Sequence, residues 1–300
     1  MKRKHLFIAG GVLLVAFILG SFFDLQINQA IFSKNNGFGI FMSAFGTIPG
    51  YACLAFIAGA LIPVTKKHQT LPKWFKICLY ILALVAFIAA VYFSGGEVFS
   101  DNAYNIPSLE WLGYIICGVI MMPICYLGVL AGQKCDNSKA WLIILLMFAA
   151  IFVSLVPGVT VLKSIFHRPR FRIAIYDGYV SFHNWWEPCK EYKELINNFP
   201  NILTKEEFKS FPSGHAGASM ITAMFLSYLP LFDKRLEKHQ TWLFYAGFGY
   251  SLIVCFSRLL VGAHYLSDVA MGGFLTLICF YIANEIILQK CLPQKVEEVK

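Results

Sequence analysis

Charged residues are scarce in this sequence, making up 14% of its 300 residues, whereas 58% are hydrophobic. A soluble globular domain carries roughly a quarter charged residues and about half apolar ones. The apolar residues come in long runs, and no sustained period-two alternation appears along them. A bilayer accepts only helices or closed barrels, and barrel strands alternate. The sequence therefore predicts an all-α, polytopic integral membrane helix bundle.

Metal and redox motifs are also missing. None of the nine cysteines forms a C-x-x-C pair, so neither a zinc motif nor a thiol redox motif is indicated. The sequence contains no Asp/Glu cluster with the spacing of a metal site either. We therefore expect no metal and no cofactor.

The net charge of +8 does not come with a basic stripe or a known nucleic-acid-binding module. Instead, basic residues flank the apolar runs, where they set membrane topology. We expect membrane lipids as partners and no nucleic acid, and the oligomeric state stays open.

Eight apolar segments have the length of about 18–23 residues that crosses a bilayer. They cover residues 6–23, 46–64, 75–94, 111–131, 141–163, 214–232, 241–260 and 267–288. The first follows a basic N-terminus but has no small-x-small cleavage site after it, so we expect an uncleaved span. Pro157-Gly158 is expected to kink the fifth.

Lysine and arginine recur on every second connecting segment. The positive-inside rule then predicts an integral protein of the plasma (inner) membrane with both termini cytoplasmic. It places the segments 24–45, 95–110, 164–213 and 261–266 on the extracytoplasmic side. The segment 164–213 is long and rich in aromatic residues, which is typical of an interfacial cap or of a lid over an active site.

Three polar clusters stand at the outer ends of predicted spans. One contains Ser257, Arg258, His264 and Asp268. His264 and Asp268 are four residues apart, so on a helix the carboxylate could accept from one imidazole nitrogen and leave the other free to attack. The alternative is an interfacial arginine and a simple i,i+4 pair.

The cluster Phe211-Pro-Ser-Gly-His215 has the features of a helix start. Ser213 is a good N-cap residue, and Gly214 lets the backbone approach a ligand closely. The N–H groups and dipole of a helix N-terminus favour an anion, and His215 would stand beside it as a proton donor. The alternative is an ordinary helix cap with an interfacial histidine.

The remaining cluster, which comes first along the chain, supplies positive charge through Lys163, Arg168, Arg170 and Arg172. Arginine matches phosphate oxygens in a bidentate way, and lysine adds a point charge. The alternative is membrane anchoring.

Together the clusters resemble the motifs of the type 2 phosphatidic acid phosphatase (PAP2) superfamily, K-x6-R-P, P-S-G-H and S-R-x5-H-x3-D. The second and third motifs match in full. The first matches at Lys163 and Arg170, but Phe171 replaces the proline, and Arg168-Pro169 forms an R-P pair two residues early. Spacing favours Arg170 as the phosphate ligand, with Arg168 as the second choice.

The resemblance implies a PAP2 catalytic core in residues 136–300, with the extracytoplasmic loop 164–213, preceded in 1–135 by N-terminal transmembrane helices that comprise part of the core and two extra spans. It implies that His264 is the nucleophile, Asp268 its orienting partner and His215 the acid. The phosphate ligands would be Lys163, Arg170, Arg258, Ser213 and Gly214.

The activity implied is hydrolysis of a lipid phosphate or diphosphate monoester through a phosphohistidine, on the extracytoplasmic side and without metal. Two alternatives remain: a phosphotransferase using the same residues, and a transporter or scaffold without turnover.

Overall fold

The computed structural model describes residues 1–100, 104 and 106–291, and all regular secondary structure within them is helical. The helices are α1 (Arg3–Ile31), α2 (Gly37–Phe45), α3 (Ile48–Lys67), α4 (Lys73–Val98), α5 (Glu110–Lys134), α6 (Ala140–Val153), α7 (Leu162–Phe166), α8 (Tyr192–Asn198), α9 (Gly214–Tyr228), α10 (Gln240–Leu260) and α11 (Leu266–Lys290). The predicted all-α class is confirmed.

Seven segments of the described chain are long and apolar enough to cross a membrane. They are Arg3–Ile31, Gly37–Lys67, Lys73–Val98, Pro107–Lys134, Ala140–Phe166, Lys234–Leu260 and Leu266–Lys290. Each contains one predicted span. The remaining prediction, 214–232, coincides with α9, which is a shorter helix of 15 residues.

The outward faces of α1, α4 and α5 are apolar. Phe22 is 72% exposed, Leu84 59% and Val119 66%. Large contiguous apolar surfaces are unusual on soluble monomers, whereas hydrocarbon solvates them. Together with the seven spans, these faces identify an integral membrane protein.

Helix α9 lies at the centre of the bundle, packed against α3, α10 and α11. Nearly all of its residues are buried, many of them alanine, glycine or serine. Small residues let helix backbones approach closely. One close approach is at Gly272 of α11, where an added Cβ would lie 2.2 Å from the carbonyl oxygen of Ser213. This contact positions the start of α9 against α11.

The prediction that residues 24–45 form a connecting loop is wrong. Helix α1 continues to Ile31, and α2 occupies Gly37–Phe45. The error arises because Asp24 and Asn28 are polar and interrupt the apolar run, yet both are buried inside the bundle. Hydropathy treats such residues as solvent-exposed, whereas here they bind polar groups of other segments.

Around Pro157, the helix that carries the first motif changes its winding. Between α6 and α7, residues Ser154–Val161 form a π-helical segment. Proline has no N–H to donate within a helix, and wider π turns accommodate such breaks. Helix α7 then carries Lys163 and ends at Phe166, and the C-cap residue His167 has a left-handed backbone conformation with φ of 44°.

The segment 164–213 is folded. It has a small core of its own, formed by Ile173, Val180, Cys189, Leu203 and Phe208. The ring of Trp185 stacks on that of Phe211 with centroids 5.5 Å apart, and its indole N–H donates to Ser21 Oγ at 2.9 Å. The segment is thereby attached to α1 and to the start of α9.

Candidate active site

The three motif clusters meet at a cavity of about 350 Å³. Its polar end is lined by Lys163, Glu97, Arg170, Glu206, Gly214, His215, Arg258 and His264. Six of the nine predicted site residues are therefore brought together, and Arg168, Ser213 and Asp268 are not among the lining residues. The cavity combines basic side chains, two histidines and two carboxylates.

His264 is held with one ring nitrogen occupied. Its Nδ1 lies 2.7 Å from the carbonyl oxygen of Ser210, and because a carbonyl only accepts, Nδ1 carries the proton. Burial lowers the pKa of His264 from 6.5 to about 3, and the charges of Arg170 and Lys163 act in the same direction. The ring is therefore neutral, with an unprotonated Nε2 for which the described residues provide no hydrogen-bond partner.

Asp268 acts on His264 through Ser210. The carboxylate Oδ2 is 3.7 Å from His264 Nδ1, beyond hydrogen-bond distance. It instead accepts from Ser210 Oγ and, at 2.8 Å, from the backbone N–H of Tyr265. We expected the Asp268 carboxylate to accept a hydrogen bond from the imidazole directly. In the structure the imidazole donates to the Ser210 carbonyl, and the hydroxyl of the same serine donates to Asp268.

Arg168 forms a buried network of ion pairs with Asp268 and Asp24. Its Nη1 donates to Asp268 Oδ1 at 2.6 Å and its Nη2 to Asp24 Oδ2 at 2.9 Å. Its Nε donates to the carbonyl oxygen of His183 at 3.0 Å. All three nitrogens are thus engaged within the protein, and the side chain is 1% exposed.

Arg170, the choice favoured by spacing, lies at the cavity. Its Nε donates to the Glu206 carbonyl at 3.0 Å and its Nη1 to the Ala263 carbonyl at 3.3 Å. Two backbone oxygens thus hold the guanidinium in place. Within the described chain, Nη2 has no protein partner, so it remains available to a ligand.

Arg258 is the most unusual charge of the site. It is fully buried, and its Nη1 donates to Ser43 Oγ. Its Nε and Nη2 are buried without a hydrogen-bond partner among the described residues. Leaving a buried charged donor unpaired is destabilising unless a ligand binds it. The arrangement therefore suits an anion, with Lys163 lining the same cavity.

The start of α9 completes the anion-binding end. Ser213 is the N-cap residue, and its Oγ accepts from the backbone N–H of Ala216 at 3.3 Å. Gly214 lines the cavity at the positive end of the helix dipole. An added Cβ there would lie 3.8 Å from Lys163 Nζ, so the lysine stands beside the helix start.

His215 lines the same cavity, and its ring carries a proton on Nε2, the nitrogen that lies beside a carbonyl oxygen. Its Nε2 donates to the Ser43 carbonyl oxygen at 3.0 Å and lies 3.8 Å from Glu97 Oε2. A histidine with an Nε2 proton at the edge of an anion site is suited to protonating a leaving oxygen.

Several contacts to the site come from the first helices and were missed in the sequence. Asp24 accepts from Arg168 and from the backbone N–H of Ser267, and the Asn28 side chain donates to the His264 carbonyl at 3.0 Å. Ser43 contacts both His215 and Arg258. A carboxylate inside an apolar run is a signal that could have identified Asp24, whereas Ser43 had none.

The rest of the cavity is mostly apolar. From the basic end it extends between α3, α4, α6 and the π-helical segment, along Tyr51, Leu54, Val85, Ala89, Ile151 and Leu155. One end of the cavity therefore suits an anion and the other suits hydrocarbon.

A family model described as the PAP2 superfamily matches residues 139–290, half of the chain. The catalytic subunit of inositol phosphorylceramide synthase from Schizosaccharomyces pombe is 33% identical over 105 residues, which are 35% of this chain and 21% of that protein. The match therefore spans about a fifth of that relative.

Among solved structures, the chain is similar to a transmembrane PAP2-type phosphatidylglycerolphosphate phosphatase from Bacillus subtilis. The TM-score is 0.39 and the sequence identity 16%, covering 80% of this chain and 98% of the other.

Proposed function

The chain belongs to the PAP2 superfamily, and on that premise we propose that it hydrolyses a lipid phosphate or diphosphate monoester through a phosphohistidine on His264, on the extracytoplasmic side of the membrane. The observation that carries the proposal is the cavity itself. It contains a neutral histidine with a free Nε2 beside a buried arginine that lacks partners for two of its nitrogens.

In the first step, His264 Nε2 attacks phosphorus. The nitrogen–phosphorus bond forms as the phosphorus–oxygen bond to the lipid breaks, and His215, which enters this step as the imidazolium, gives one proton to the leaving oxygen and becomes neutral. Lys163, Arg170 and Arg258 neutralise the charge on the transferring group, which is the main catalytic contribution in phosphoryl transfer.

In the second step, water attacks the phosphohistidine. His215 accepts a proton from the water, the phosphorus–nitrogen bond breaks, and phosphate leaves with His264 restored. Between the two steps the phosphorylated imidazole is positively charged. The Ser210 carbonyl stabilises it by accepting a hydrogen bond from Nδ1–H at 2.7 Å.

A lipid is favoured because of the apolar part of the cavity. Residues of three transmembrane segments line it next to the basic end. A phosphate headgroup at Arg258 would therefore leave its hydrocarbon among apolar side chains, without having to cross a polar surface.

The second candidate is a phosphotransferase, in which another hydroxyl compound replaces water in the second step. The observation that favours it is the relative from Schizosaccharomyces pombe, which is named a synthase. The same residues would serve, and the two candidates differ only in the acceptor.

The test is phosphate release by the detergent-purified protein across a panel of lipid monophosphates and diphosphates, with and without lipid and sugar acceptors. We expect His264→Ala to lower turnover by a factor on the order of 10⁴ or more. A matched control is His239→Ala, at an exposed histidine of another segment. Labelled substrate quenched in alkali should leave phosphate on the wild-type protein and none on His264→Ala.

Free phosphate without acceptor supports the hydrolase, whereas transfer to an added acceptor with little free phosphate supports the transferase. Full activity of His264→Ala contradicts both. A protein that turns over no phosphate ester would instead be a transporter or scaffold that keeps the fold.

A further inference from the structure

The segment 164–213 contains a second group of reactive side chains, separate from the cavity. His183, Cys189 and Glu191 each offer one ligand atom, and these atoms all lie within 4.8 Å of one another. Imidazole Nε2 of His183 is 3.4 Å from Glu191 Oε1. None of the three lines the cavity described above. The cluster therefore has its own ligand chemistry, combining nitrogen, sulfur and oxygen.

The ring of His183 has its two nitrogens in different surroundings. Its Nδ1 is 3.3 Å from the carbonyl oxygen of Glu187, which only accepts, so Nδ1 is the donor of this contact. Its Nε2 is directed at the Glu191 carboxylate, with the Ser181 hydroxyl at 3.4 Å. Metal-binding histidines commonly donate their other N–H to a carbonyl in this way.

Cys189 presents its sulfur to the same point. The residue is 1% exposed and has no disulfide partner. The thiol is therefore a further ligand atom of the cluster, close to the Glu191 carboxylate.

The surrounding segment has only a small core of its own, which consists of five buried apolar side chains. A metal ion would add a further link within it. Two hydrogen bonds connect the cluster to the catalytic end: the backbone N–H of Cys189 donates to the Phe166 carbonyl at 3.1 Å, and the His183 carbonyl accepts from the Arg168 side chain at 3.0 Å.

We propose that His183, Cys189 and Glu191 bind one Zn²⁺ ion, with water as the fourth ligand. A nitrogen, sulfur and oxygen ligand set suits zinc, whereas Mg²⁺ and Ca²⁺ prefer oxygen alone. The ion holds together the part of the segment that binds Arg168 through the His183 carbonyl. It takes no part in the phosphate chemistry, because its ligands lie outside the cavity.

The experiment uses the full-length protein in detergent, stripped with EDTA and then dialysed against zinc. Elemental analysis should find about one zinc per chain in the wild type, and less than a tenth as much in His183→Ala and Cys189→Ser. The matched controls, His239→Ala and Cys78→Ser, alter an exposed histidine and an exposed cysteine elsewhere and should keep the full amount.

A second measurement on the wild type does not depend on how the variants fold. Cobalt added to the stripped protein should produce the absorption band of a cobalt–thiolate bond, and zinc should slow proteolysis within 164–213. Zinc binding that is weak in the wild type, or that persists in Cys189→Ser, overturns the proposal.

This outcome is independent of the catalytic proposal. His264→Ala should still bind one zinc, and the stripped wild type should still release phosphate in excess EDTA. Loss of zinc binding with retained turnover contradicts the zinc site alone, and zinc binding without any turnover contradicts only the proposed function.

Discussion

Arg168 and Arg258 are both fully buried arginines at the same end of the bundle, yet their surroundings are opposite. Every nitrogen of Arg168 has a protein partner, and two carboxylates, Asp24 and Asp268, balance its charge. Arg258 has one partner, Ser43, and two buried nitrogens without any in the described chain. A buried charge whose hydrogen bonds are all made within the protein stabilises the fold, whereas a buried charge with unpaired donors can bind a ligand.

The sharpest test of this difference is Arg258→Met. We expect turnover to fall by a factor on the order of 10² to 10³, because a preorganised donor to the transferring phosphoryl group is lost. The thermal unfolding midpoint should stay the same or rise, since the substitution removes a buried charge that lacks partners. Phosphate release and thermal unfolding measured on one preparation check both, with the exposed Arg235→Met as control.

Arg168→Met should have the reverse profile. It leaves the carboxylates of Asp24 and Asp268 buried without their cation, and breaking such a pair typically destabilises a protein by about 3–5 kcal/mol. Thermal unfolding and the yield of folded protein measure the effect. Adding Asp24→Asn to this variant should recover part of the loss. If Arg168→Met unfolds at the wild-type temperature, the structural role assigned to this network is wrong.

Glu97→Gln should produce a smaller change, in substrate binding. Glu97 lines the cavity, and its carboxylate lies 3.8 Å from His215 Nε2. The negative charge opposes a bound phosphate, so we expect KM to fall roughly two- to tenfold. Steady-state kinetics on the wild type and on the variant measure this, with Glu237→Gln on an exposed segment as control. A higher KM would mean that Glu97 contacts the substrate favourably.

The smallest expected effect is that of pH on the protonation of the His264 ring. Its pKa is lowered to about 3, chiefly by burial, so the ring should stay neutral between pH 8 and pH 5. In the unfolded chain the ring would gain a proton below about pH 6.5, so this residue reduces stability as the pH falls below that value. Nitrogen NMR of labelled histidine, assigned with His264→Ala, measures the state directly. Half-protonation near pH 6.5 contradicts the buried, cation-flanked geometry.

Much of the fold followed from hydropathy, because lipid-facing helices such as α4 and α5 are long and uniformly apolar. The same rule failed where a helix turns a polar side chain inward. It ended the first span at residue 23, although α1 continues to Ile31 with Asp24 and Asn28 buried. It also extended α9 beyond Tyr228, because apolar residues continue after the helix ends.

At the candidate site, motif spacing identified the residues that line the cavity but not how they are held. Arg168 and Arg170 are equally basic in sequence, and only their partners in space distinguish them. The Ser210 carbonyl that positions His264 is a backbone atom, which no residue pattern reports. The cluster around Cys189 was not indicated by the sequence, because paired cysteines are the usual signal of such a group and here the neighbours of the cysteine are a histidine and a glutamate.

The pairing of α1 with α11 has a consequence for the order of synthesis. Asp24 and Asn28 bind groups that lie 243 and 236 residues later in the chain. A ribosome therefore delivers these polar side chains in the first helix long before Ser267 and His264 exist. Until then Asp24 lacks its partners inside an apolar helix, a situation that membranes disfavour. The first helix can complete its polar contacts only when the last one has been made, so the surroundings of His264 and the final packing of the bundle form together.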